Sequence, residues 1–108
     1  MVFLALIPEA QFASQYSGPI TVQIQMPSTT PNPAWTLHGQ TVSVSIGVMQ
    51  TVKELKDALG ALIGDMPASK QQIKSPAGFL KDNQTLASLN IGDGARLEMT
   101  PKTRGGKR

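Results

Sequence analysis

The sequence predicts an α+β fold: a mixed sheet of four to five strands packed on one helix. Three observations predict it. Apolar residues alternate with period two at 20–26, at 42–46 and again at 95–99, the mark of strands with one buried face. A capped apolar stripe of helical spacing lies between the second and third of these runs. The whole chain has 108 residues, 40% of them hydrophobic, enough for one domain with one core.

Each element follows from its residues. Ile20, Val22, Ile24 and Met26 alternate with Thr21, Gln23 and Gln25, and Pro27 stops the run. Trp35 and Leu37 share one parity, whereas Val42, Val44 and Ile46 share the other. A turn or bulge at His38-Gly39-Gln40 must therefore reset the register before the second strand pairs back on the first. Trp35 is read as closing the long first loop over the hydrophobic edge. Thr51-Val52-Lys53-Glu54 has capping-box spacing, and Val52, Leu55, Leu59 and Leu62 form one stripe. Gly64 supplies a left-handed stop and Pro67 forbids continuation, so the helix spans 52–63. Gly60 is read as a close-packing position.

Beyond the helix, 71–74 reads as a third strand with Ile73 inward, and Phe79-Leu80 as a minimal fourth. Asp82-Asn83 marks a turn, 85–89 a single helical turn, and 90–94 a loop. Ala95, Leu97 and Met99 build the last strand. The order ββαββ, with one helix across one face, is a β-grasp arrangement, in which the first and last strands lie side by side at the centre. Residues 1–18 read as a flexible N-terminal extension, with one helical turn or two from Glu9 towards Tyr16. The apolar run at the start is only seven residues long, too short for a membrane span. The domain itself is placed at 19–101, and 102–108 reads as a flexible basic tail of the Arg-Gly-Gly type.

Charge narrows the function classes. Residues 1–65 carry two basic and four acidic side chains, a net of −2, and residues 66–108 carry eight basic and three acidic, a net of +5. A basic half ending in a basic tail fits either a polyanion partner or a solubilising surface. With no cysteine and one histidine, disulfides, thiolate ligands, a cysteine nucleophile and a multi-histidine metal cage are excluded. His38 is read as a loop histidine bonded to backbone. No carboxylate pair, phosphate-cradling glycine loop or nucleophile arrangement is present, so neither an enzyme nor a cofactor is expected. Phe79 can stack on a base or join the core beside Leu80, and the residues leave both open.

Taken together, the hairpin, the Thr-led helix, Gly64-Asp65-Met66-Pro67, the Gln71-Gln72 strand, Lys81-Asp82 before Thr85-Leu86, Asn90-Ile91 and the closing strand running into Arg104-Gly105-Gly106 resemble ubiquitin over 19–106. A second resemblance reaches into the extension. Ile7-Pro8-Glu9 with Phe12, Trp35-Thr36-Leu37-His38-Gly39-Gln40, Met66-Pro67-Ala68-Ser69-Lys70-Gln71, Phe79-Leu80-Lys81-Asp82 and Arg104-Gly105-Gly106-Lys107-Arg108 resemble the C-terminal ubiquitin-like domains of the splicing factor 3a family, part of the U2 small nuclear ribonucleoprotein (snRNP) of the spliceosome.

That resemblance implies mRNA splicing in the nucleus, with RNA-binding to a structured stem-loop of U1 small nuclear RNA (snRNA). The family's contacts match Lys70, Phe79, Lys81, Lys102, Arg104, Gly105, Gly106, Lys107 and Arg108. Other splicing-factor subunits would join through the rest of the parent protein. No membrane is implied, and the isolated domain is expected to be a monomer. Ser88-Leu89 stands where the family has a tyrosine pair. Two other classes are set beside this one. A conjugated modifier would use Arg104-Gly105-Gly106 after loss of Lys107-Arg108. A protein-docking module would use the third and last strands, where Lys74-Ser75 and Thr100 make the surface mostly polar.

Overall fold

The computed structural model describes residues 7–28, 33–76 and 78–102. The elements are α1 (Glu9–Ala13), β1 (Ile20–Gln25), β2 (Thr41–Ile46), α2 (Val52–Leu62), a 3-10 turn (Ala68–Lys70), β3 (Gln71–Ser75), β4 (Gly78–Phe79) and β5 (Arg96–Pro101). They form one five-stranded sheet in the order β2-β1-β5-β3-β4. The ubiquitin-like β-grasp expected from the sequence is the fold observed.

β1 and β5 pair in parallel at the centre, with Gln23 opposite Arg96 and Gln25 opposite Glu98. The other pairings are antiparallel. Alternation sends Ile20, Val22, Ile24, Val44, Ile46, Ile73, Leu97 and Met99 to one face, where all are buried. Polar residues take the opposite face, which no helix covers. On it Ser43 Oγ donates to Gln23 Oε1 (3.0 Å) and Thr41 Oγ1 to Gln25 Oε1 (3.1 Å).

The helix begins where the capping box predicts. Glu54 N donates to Thr51 Oγ1 (3.2 Å) and Thr51 N donates to Glu54 Oε1 (2.9 Å). The stripe differs from the expected one at its end. Val52, Leu55 and Leu59 are fully buried, but Leu62 is 59% exposed and Ile63 is buried in its place. At 3.6 residues per turn, Ile63 returns to within about 20° of Val52, whereas Leu62 lies about 80° away. Gly60 is buried because the chain folds back over it: a Cβ there would lie 2.1 Å from the Met66 carbonyl oxygen. Gly64 (φ +92°) turns the chain out of the helix, and a Cβ on it would meet Ala34 O at 2.1 Å. Gln71, also buried, ties this return down, its Nε2 donating to Lys56 O (2.8 Å) and Met66 O (3.1 Å).

The reset at 38–40 is a turn, with Gly39 at φ +83°, and Trp35 packs half-buried against the core. Residues 85–89 form turns that continue through Asn90 and bury Leu86 and Ala87.

The N-terminal segment departs from expectation. Between Ile7 and Gly18 the predicted flexible extension is docked on the domain. Phe12 is buried in the core, and its ring centroid lies 5.3 Å from that of Tyr16. Asn90 clasps Ile7 from both sides: Ile7 N donates to Asn90 Oδ1 (2.8 Å) and Asn90 Nδ2 donates to Ile7 O (3.1 Å). Thr85 Oγ1 donates to Glu9 Oε2. The physical reason is the i, i+4 spacing of Phe12 and Tyr16, which puts two aromatics on one side of a helical turn.

Two predictions follow from this packing. Leu59→Ala is expected to cost about 2–5 kcal/mol in chemical denaturation, from lost burial plus a cavity, whereas Leu62→Ala should stay within about 0.5 kcal/mol. The second concerns acid. The Thr51 backbone N–H, aided by the Gln50 amide, holds the Glu54 carboxyl below its ordinary value. A depressed folded-state pKa adds stability above the unfolded value, about 4.3, and that stability is lost as pH falls through the folded value. Urea midpoints of the native chain and Glu54→Gln should therefore differ at pH 6–7 and converge in acid. A difference independent of pH would remove the carboxylate from the cap.

Candidate nucleic-acid interface

Of the cations predicted to contact RNA, Lys70, Lys81 and Lys102 sit on the β3–β4–β5 side of the sheet. Lys70 ends the 3-10 turn just before β3, and Lys102 follows β5 directly. Because Gln71 pairs with Pro101, these two lysines come side by side, Lys102 N donating to Lys70 O (2.7 Å). Both are exposed. The chain then runs into Arg104, Gly105, Gly106, Lys107 and Arg108, which lie outside the described residues.

Phe79 stands on the edge strand opposite Lys74. It is 60% exposed, which decides against a core role. Lys74 Nζ lies 5.9 Å from its ring centroid and 3.7 Å from Glu98 Oε1. Past Phe79 the chain keeps its antiparallel course, Leu80 N donating to Ile73 O (2.9 Å). Lys81 follows, exposed, its backbone N–H donating to Gln84 Oε1 (3.0 Å). The fold thus brings Lys70 and Lys102 together and leaves Phe79 at the other end of β3.

Ion pairing separates the cations further. Lys53 pairs with Asp57 (3.3 Å), the buried Lys56 with Asp82 (2.6 Å) and Lys74 with Glu98. Among the described residues, Lys70, Lys81, Arg96 and Lys102 have no ion pair. Arg96 escaped the sequence reading. Its only signal there is its polar place in an alternating strand. It lines a groove of about 730 Å³ on the uncovered sheet face, together with Gln25, Lys74, Pro76, Phe79 and Glu98.

Ser88 and Leu89 are half-buried in the turn under α1, Ser88 Oγ donating to Thr85 O (2.8 Å). No aromatic face is offered there. Lys74 and Thr100 are exposed on the uncovered face, so the surface that a docking module would use is polar apart from Phe79. Among the described residues no group of three His, Cys, Asp or Glu side chains is placed to hold a metal, and no helix is long and apolar enough to cross a membrane.

Because Lys70 and Lys81 are exposed and outside any ion pair, Lys70→Ala and Lys81→Ala should each shift unfolding free energy by no more than about 0.5 kcal/mol. Larger shifts in a urea titration would show that these lysines serve the fold.

Comparison with known proteins accords with the geometry. The model of the Ubiquitin family matches residues 35–104. A probable splicing factor 3A subunit 1 of Arabidopsis thaliana is 36% identical over 104 residues, and splicing factor 3A subunit 1 of Homo sapiens is 31% identical over 104 residues. Each match covers 96% of this chain but only 12% and 13%, respectively, of those proteins. A solution structure of the ubiquitin-like domain in a splicing factor superposes with a TM-score of 0.77 at 34% identity, over 98% of this chain and 91% of that one. Caldiarchaeum subterraneum ubiquitin superposes with a TM-score of 0.62 at 22% identity, over 82% of this chain and all of that one, a likeness of fold alone. The chain belongs to the ubiquitin family, as a ubiquitin-like domain of the kind found in splicing factor 3A subunit 1.

Proposed function

We propose that this domain is a non-enzymatic RNA-binding module of a pre-mRNA splicing factor, acting in the nucleus on a structured snRNA stem-loop, that of U1 by resemblance. The observation that carries this reading is the juxtaposition of Lys70 and Lys102 at the point where the chain enters its most basic segment. Lys102, Arg104, Lys107 and Arg108 put four positive charges into seven residues with no acid among them. Lysine and arginine neutralise phosphates and release condensed counterions, which supplies affinity without sequence choice. Arginine adds a planar fork for phosphate oxygens or guanine edges. Gly105 and Gly106 allow close approach to a groove, having no side chain to clash. Lys81 and Phe79 extend the contact along the edge strand. The remaining splicing-factor subunits are partners of the parent protein, of which the matched segment is about an eighth.

Truncation after Pro101 tests the reading. It should leave the fold intact, weaken hairpin-RNA binding and flatten its salt dependence by roughly two to four units of log–log slope. Lys70→Ala or Lys81→Ala should remove about one contact each. Equal affinities and equal slopes for the intact and truncated chains would reduce the basic half to a solvated surface.

The Arg104-Gly105-Gly106 sequence on a ubiquitin fold is the one feature that favours a conjugated modifier instead. Incubation with a ubiquitin-processing protease and an activating enzyme should yield no thioester-linked form. A trimmed species ending at Gly106 and attached to other proteins in cells would reverse the assignment.

A further inference from the structure

We propose that β2 is a self-pairing edge: a second copy of this chain adds its own β2 there, antiparallel and about a twofold axis at Ser43. The proposal is independent of the RNA reading. It sets a reversible dimer in place of the monomer expected from the sequence.

The two edges of the sheet are built differently. The β4 edge is blunted, only two residues long, with Lys74 opposite Phe79 and Lys81 just beyond. Short length and lysines are the usual means of keeping an edge from pairing. The β2 edge has neither. Its six residues, Thr41–Ile46, include no charge, proline or glycine, and Thr41, Val42, Val44 and Ile46 are β-branched, which favours extended pairing.

The backbone groups left open on β2 follow from the ladder. On β1, Gln23 N donates to Ala95 O (2.8 Å) and Thr21 O accepts from Gly94 N (2.7 Å), so these residues face β5. Alternation leaves Ile20, Val22 and Ile24 to bond β2, where they lie opposite Ile46, Val44 and Val42. The N–H and C=O groups of Thr41, Ser43 and Ser45 therefore point outward. None of the described residues bonds them.

These six groups are self-complementary in one register. A twofold axis at Ser43 sets Thr41 opposite Ser45 of the other copy, Ser43 opposite Ser43 and Val42 opposite Val44, and every outward group gains a partner. A slip of one residue would pair opposite faces. A slip of two would bring in Gly47 or Gly39, whose N–H groups already donate to Gln50 Oε1 (2.9 Å) and Pro27 O (2.8 Å). Charge also favours a copy over a foreign strand. The hairpin has no charged side chain with which to select another protein, and none to repel its own kind. Three residues a side bury less than the roughly 1,200 Å² of a standard interface, so the pairing is weak and concentration-dependent. β2 lies at the far end of the sheet from β3 and β4, so both copies keep Lys70 and Lys102 on the outside.

The test is sedimentation equilibrium and amide hydrogen exchange on the native chain, from about 20 µM to about 1 mM, a range suited to weak association. The apparent mass should rise from 11.5 kDa towards twice that value. Exchange at Thr41, Ser43 and Ser45 should slow as it does so, while Val42 and Val44, bonded to β1 throughout, stay unchanged. Ser43 is exposed, so Ser43→Lys and Ser43→Glu should fold. Each alone should remain at the monomer mass, because like charges then meet at the axis, and an equal mixture of the two should recover the dimer. A native mass constant across the series would overturn the proposal, as would dimers of either charged variant equal to the native ones, or a mixture that stays monomeric. If the variants fail to fold, the concentration dependence of the three native amides decides. A chain that stays monomeric while an added Val/Thr-rich extended peptide protects those amides would give the edge to a foreign strand and overturn self-pairing.

Discussion

The parallel pairing of β1 with β5 is the contact on which the rest of the molecule depends. Parallel neighbours cannot be joined by a tight turn, so the chain between them must cross over, and here it carries β2, α2, β3 and β4 on the way. That crossover lays α2 over one face of the sheet and buries Val52, Leu55 and Leu59 against it. It also fixes what lies next to what at both ends of β5. Arg96 comes opposite Gln23 in mid-sheet, and Lys102 comes beside Lys70 at the rim. Loss of this one pairing would dissolve the core and the Lys70–Lys102 juxtaposition together.

The two faces of the sheet divide the work. The face under α2 takes the alternating aliphatic residues and is closed by the helix, by the return over Gly60 and by the Gln71 amide. The other face has hydroxyl and amide side chains that satisfy one another across β1 and β2, and charges only on β3 and β5. No charged residue occurs between Glu9 and Lys53. The β1–β2 hairpin is therefore electrically neutral, and any attraction for a polyanion must come from the opposite edge. This gives the domain a polarity that its net charge of +3 conceals.

Much of this was legible in the sequence because the signals were local. Period-two runs located β1, β2 and β5; the Thr51–Glu54 spacing located the start of α2; Gly60 and Gly64 announced close approach and a left-handed stop. What the sequence left hidden depended on contacts between distant segments. Leu62 and Ile63 are both apolar, and which of them turns inward depends on helix phase rather than composition. Phe12 and Tyr16 had no visible partner, because the surface that receives them is made by residues some 80 positions later. Arg96 looked like an ordinary outward residue, and its isolation emerged only when the acids and acceptors around it were seen to be engaged. Phe79 was ambiguous until its exposure was known.

The docked N-terminal segment bears on how the chain reaches its fold. Ile7 and Asn90, which clasp each other, are 83 positions apart, and Gln23 meets Arg96 at a separation nearly as great. Closing such long loops carries an entropic cost before any contact compensates it, so topologies of this kind fold late and as a unit. During synthesis on the ribosome the β1–β2 hairpin and α2 emerge early, but they have no central strand to pair with and no turn for Phe12 to enter. The nascent chain must keep Val22, Ile24 and Phe12 exposed until the segment from Thr85 to β5 appears. In that interval the neutral hairpin, without charges to keep copies apart, is the segment most in need of a chaperone.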